Sequence, residues 1–84
     1  MVIDEEWRVK AERIEEFFEG LPGTVKCGPG FYKNGSCEIR TSALTEHRIG
    51  TLSIPNTRVQ ISGDDTETEL IYKKFFHTFI SAGG

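Results

Sequence analysis

The sequence predicts an α+β domain, with two helices packed on one face of a four- or five-stranded, mostly antiparallel sheet in the order helix, strands, helix. Three observations carry this expectation. Apolar residues recur at helical spacing near both ends of the chain, they alternate with polar residues through the middle, and Gly, Pro and Asn punctuate the runs between. Each element then has one apolar side to bury. Two layers, with the other sheet face wet, are the economical packing. The 84 residues are read as a single domain, 1–84.

The first helix is expected over residues 4 to 18 or 19. Asp4 suits an N-cap, and Glu5 and Glu6 suit the positive end of the helix dipole. Trp7, Ala11, Ile14, Phe17, Phe18 and Leu21 fall within an arc of roughly 120° on a helical wheel. Gly20 and Pro22 stop the helix.

Strands follow. Thr24-Val25-Lys26-Cys27 is short and extended. Asn34-Gly35 lies between two strand-like runs and is the hairpin signal, because both turn positions favour positive φ. A turn centred there sets Tyr32 opposite Cys37 and Phe31 opposite Glu38. Tyr32, Cys37 and Ile39 then face inward, and Phe31, Lys33, Glu38 and Arg40 outward. A second hairpin is expected over residues 51–62, turning at Pro55-Asn56 with Leu52 opposite Val59. Residues 45–48 are the expected loop between hairpins.

The last helix follows Gly63. Asp64 with Glu67, or Thr66 with Glu69, fits a capping box. Ile71, Tyr72, Phe75, Phe76, Phe79 and Ala82 form its apolar face, and Lys73, Lys74, His77 and Ser81 its polar one.

Composition narrows the function. Apolar residues are 37% and charged residues 27%, which suits a folded chain and not a disordered one. No run reaches the roughly 18–20 apolar residues of a membrane span. Met1-Val2-Ile3-Asp4-Glu5-Glu6 lacks the basic and apolar regions of an export signal, so the expected location is the cytoplasm. A chain this short has little room for a deep cleft and a catalytic apparatus together. A non-enzymatic binding protein is the expectation. Cys27 and Cys37 are too few for a disulfide framework or a four-ligand zinc site. Whether they pair is left open by the sequence.

Charge is segregated. Residues 1–20 carry a net −4, residues 21–62 a net +3 and residues 63–84 a net −2. Glu12, Glu15, Glu16 and Glu19 crowd one side of the first helix, at spacings where like charges repel by a few tenths of a kcal/mol. Glu15, Glu16 and Glu19 also stand where the dipole disfavours anions. Asp64, Asp65, Glu67 and Glu69 make a second, oxygen-rich cluster. Solubility and helix capping account for both groups. The functional reading is that calcium, another divalent cation or a basic protein partner offsets the repulsion, provided the two groups converge.

The strands offer a different surface. Lys33, Arg40 and Phe31, with Arg58 on a neighbouring strand, suit nucleic acid, which stacks on aromatics and pairs with bases. The overall pI near 5.3 counts against that reading. Cys27-Gly28-Pro29-Gly30-Phe31 leads into a strand and so is no phosphate loop. His47 and His77 stand in no catalytic motif.

Two resemblances remain. Gly83-Gly84 resembles the end of ubiquitin-like modifiers and of the small sulfur carriers of molybdopterin and thiamine synthesis. That resemblance implies a tail whose carboxylate an activating enzyme adenylates. Those proteins open with a β-hairpin and close with a strand, whereas this chain reads as opening and closing with helices. The order helix, hairpins, helix, with acids near both helices, also resembles a small α+β family of methanogenic archaea. That resemblance implies an acidic pocket that takes up calcium.

Overall fold

The computed structural model describes residues 1–83, with side chains through Ile80. The chain runs β1 (Val2–Trp7), α1 (Ala11–Gly20), β2 (Thr24–Gly28), β3 (Phe31–Asn34), β4 (Cys37–Ala43), β5 (His47–Ile49), β6 (Leu52–Ile54), β7 (Thr57–Ser62) and α2 (Asp65–Gly83). Five strands form an antiparallel sheet in the order β1-β7-β4-β3-β2. β5 and β6 form a separate two-stranded ribbon. Both helices lie on one face of the large sheet, as the sequence predicts. Among the described residues no helix is long and apolar enough to cross a membrane.

The beginning of the chain corrects the expected order. Residues 2–7 are a strand at the sheet edge, and the first helix begins only at Ala11. Ile3, Glu5 and Trp7 pair with Ile61, Val59 and Thr57 of β7 and face the helices, while Val2, Asp4 and Glu6 face away. Asp4 is therefore no helix cap. Its carboxylate receives two hydrogen bonds from the Arg58 guanidinium, at 2.6 and 2.9 Å. That guanidinium holds the Asp4 carboxyl below the usual carboxylate range.

The first hairpin keeps its predicted faces with a shifted register. Asn34 pairs with Cys37 and Tyr32 with Ile39, so Gly35 and Ser36 form the turn. Gly35 takes φ +59°, and among the described residues no non-glycine has positive φ, which selects a glycine-first turn over the expected Asn-Gly one. The shift of two residues leaves the side-chain alternation intact. Tyr32, Cys37 and Ile39 are fully buried, as expected.

The second expected hairpin does not form. β6 pairs with β5 through a turn at Gly50-Thr51, and β7 instead fills the centre of the sheet between β1 and β4. Residues 47 and 48 are strand and not loop. Leu52 has no place opposite Val59 and stands 65% exposed. Pro55-Asn56 joins β6 to β7 without closing a hairpin, and the Asn56 side-chain amide donates to Glu6 at 2.9 Å.

The core lies between sheet and helices. Ile14 and Phe18 of α1 and Ile71, Phe75 and Phe79 of α2 meet Tyr32, Ile39, Val59 and Ile61 from the strands. Phe75 is its centre, with ring centroids of Trp7, Phe79 and Phe18 at 5.0, 5.2 and 5.5 Å. α2 begins with half of the expected capping box. The Asp64 carboxylate accepts the Glu67 N–H at 3.1 Å, but Glu67 bonds Ser36 and does not reach back to Asp64. The Asp64 N–H goes instead to the Ser36 hydroxyl. The β3–β4 turn is thereby fastened to the helix N-terminus. Both cysteines are free, Cys27 exposed and Cys37 buried.

Candidate functional site

The eight acids singled out in the sequence fall on α1 and at the start of α2. α1 approaches α2 through Phe17 and Phe18, which contact Phe75 and Phe79 in the second half of α2. Glu12, Glu16 and Glu19 are exposed and Glu15 is partly covered. Glu19 accepts the Tyr32 hydroxyl at 2.9 Å and has the Lys26 ammonium 3.6 Å away. An acid at the end of α1 is thus held by a buried phenol and a strand lysine.

In the second group, Asp64 caps α2, Asp65 receives the Met1 amine at 2.8 Å, and Glu67 binds Ser36. Glu69 is exposed. Among the described residues no three His, Cys, Asp or Glu side chains gather closely enough to hold a metal ion.

On the wet sheet face, Phe31 is stacked already. The Arg40 guanidinium lies 4.2 Å from its ring centroid, and Lys33 lies 5.9 Å away. Arg58 is engaged by Asp4. The protein's own cations thus lie against the aromatic ring that the nucleic-acid alternative would use for stacking.

The most developed polar constellation was missed by the sequence reading. Glu5 points inward from β1, where its Oε1 accepts the indole N–H of Trp7 at 3.0 Å. The Tyr72 hydroxyl donates to both Glu5 oxygens. Burial, and then the Glu5 carboxylate, push the Tyr72 phenol up to about 12. This group borders a shallow groove between β1 and α2, lined by Glu5, Glu6, Trp7, Tyr72, Phe76 and Ile80. Arg8 also lines it. The only signal in the sequence was indirect: residues 2–7 alternate once Glu5 is allowed as an inward residue.

The carboxyl end of α2 lies beyond this groove. α2 continues to Gly83, one turn past Ile80. Gly84 lies outside the described residues.

Residues 4–84 match the family model described as Archaeal MoaD-like protein. The chain belongs to that family. The family is described as archaeal and the chain is a small α+β fold, as one resemblance implied; the calcium pocket of that resemblance is not shown by the match. No curated protein matches the chain.

Proposed function

We propose that this member of the archaeal MoaD-like family is a sulfur carrier of the ubiquitin-like kind. It is read as non-enzymatic, acting through protein contact and through its Gly83-Gly84 end. The observation that supports this most is that the family match spans residues 4–84 and so includes both glycines. In such chemistry an activating enzyme transfers AMP from ATP to the Gly84 carboxylate and releases pyrophosphate. A sulfur nucleophile then displaces AMP and leaves sulfur on the glycine acyl carbon. Glycine suits this end because it has no Cβ to obstruct a narrow channel. The last carbonyls of a helix lack intrahelical partners, so the final turn of α2 unwinds at small cost.

The test is intact-mass analysis after incubation with ATP and an archaeal ATP-dependent activating enzyme. The expected product is an acyl-adenylate at Gly84 that hydroxylamine traps. Deleting Gly84 abolishes it. No adduct, with an enzyme that modifies another carrier in the same tube, overturns the carrier reading.

A second reading follows from one feature of the fold. α2 is helical to Gly83, so Gly83 ends a helix and not a strand. A domain that docks sulfur-carrier machinery without being modified fits this end equally well. Binding of the activating enzyme without adduct formation is its signature.

A further inference from the structure

The β5–β6 ribbon is an element without visible support. Of its six strand residues, His47, Arg48, Ile49, Leu52 and Ser53 are exposed, and only Ile54 is partly covered. Ile49 and Leu52 pair directly at its tip, 64% and 65% exposed. A lone two-stranded hairpin is marginally stable in water and needs a surface to pack on. The ribbon leaves the sheet between Ala43 and Thr57, where the Leu44 N–H bonds the Asn56 carbonyl at 2.8 Å. Its reach to Gly50 is roughly 20 Å at strand spacing. The radius of gyration, 12.9 Å, exceeds the about 12 Å of a compact chain of this length.

The groove beside β1 offers what the ribbon lacks. β1 is an edge strand. Met1 and Gly63 exchange both backbone bonds, so by alternation Ile3, Glu5 and Trp7 bond β7. The backbone groups of Val2, Asp4 and Glu6 therefore point to the free edge. Along that edge run Trp7, Phe76 and a 43% exposed Ile80, with Glu5 and Glu6 beside them. Neither glutamate forms an ion pair among the described residues. The ribbon carries Arg48 and His47 next to its apolar tip. Apolar tip and apolar groove match, and Arg48 meets a groove whose charged lining is Glu5 and Glu6 against the single Arg8.

We propose that the β5–β6 ribbon is a dimerisation arm, seated in the β1–α2 groove of a second copy of this chain. Arm and groove lie toward the same end of the sheet, because Trp7 and Ala43 flank Thr57 on its two sides. Two copies therefore exchange arms about one two-fold axis, and the contact closes as a dimer. Two arms and two grooves supply the four patches that bring the contact toward the roughly 1,200–2,000 Å² of a stable interface.

Trp7 is the only tryptophan and lines the groove, so it reports directly. The experiment is sedimentation together with Trp7 emission across a concentration series. A dimer is expected, with emission shifting at the same midpoint. Leu52→Asp raises the dissociation constant at least about tenfold for each arm, and Ile80→Asp acts likewise from the groove side. Leu70→Asp, 55% exposed on another side of α2, leaves it unchanged. Circular dichroism confirms that each variant is folded. A monomer at every concentration overturns the proposal, and so does a dimer that survives Leu52→Asp and Ile80→Asp together. Emission that ignores concentration while the chain dimerises overturns it too. If the arm serves the activating enzyme instead, the chain stays monomeric and Leu52→Asp weakens that complex alone.

Discussion

The Tyr72 hydroxyl donates to both carboxylate oxygens of Glu5, at 2.9 and 3.1 Å, across 67 residues of chain. The contact ties the edge strand to the last helix. It makes the fold sensitive to alkali. The ordinary tyrosine value is 10.0, and that of Tyr72 is raised to about 12. Tyr32 is raised as well, by burial and then by Glu19. A raised value means that the neutral phenol is favoured in the folded state. The stabilisation is complete below pH 10 and is lost as pH rises toward 12. Tyrosinate absorbance should therefore lag behind that of free tyrosine and rise together with unfolding. Tyr72→Phe should cost about 1–3 kcal/mol at neutral pH and move the onset of alkaline unfolding.

Phe75→Ala should cost about 3–5 kcal/mol in a denaturant titration, because the ring is fully buried and touches both helices and β1. A loss below about 1 kcal/mol is incompatible with α2 docking as described.

Gly63 joins β7 to α2 with φ +147°, and a Cβ there would meet the Ser36 carbonyl at 2.8 Å and Cys37 Cα at 2.9 Å. Gly63→Ala should cost about 1–3 kcal/mol through strain and displacement of the β3–β4 turn. Gly28→Ala meets nothing within 4 Å and should stay within about 0.5 kcal/mol. Equal melting temperatures for the two variants would contradict the close approach at Gly63.

Thiol labelling separates the cysteines. Cys27 should react at once in the native protein. Cys37, with its sulfur 3.4 Å from the Thr68 hydroxyl in the core, should react only on unfolding. Two fast thiols, or none, would rule out this arrangement.

The sequence made the core legible because burial follows local alternation. Ile14, Phe18, Phe75, Phe79, Ile39, Val59 and Ile61 are all where the apolar stripes put them. It misled at residues 2–7. An Asp followed by two Glu before an apolar stripe is a good helix start, and Glu5 on the inward side hid the strand period. What makes residues 2–7 a strand is β7, more than fifty residues away, and what permits Glu5 inside is Tyr72. The true start of α1, at Lys10, has no side-chain cap to advertise it. Partner choice was equally hidden in residues 51–62. Two alternating runs specify two strands, but not that one joins β5 and the other enters the main sheet. The acids read as one candidate metal site because the sequence shows their number. It does not show the phenol, hydroxyl and amine that engage Glu19, Glu67 and Asp65.

The pairing of β1 with β7 also dictates an order of events. Residues 2–7 leave the ribosome before their partners at residues 57–62, which emerge fifty to sixty residues later. At roughly 5–20 residues per second this interval lasts seconds, long compared with hairpin closure in about 1–10 μs. β3 and β4 are neighbours in sequence and free to close at once, while the first strand waits, made early and placed late. Nascent chains should therefore show no protection of residues 2–7 until residues 57–62 have emerged.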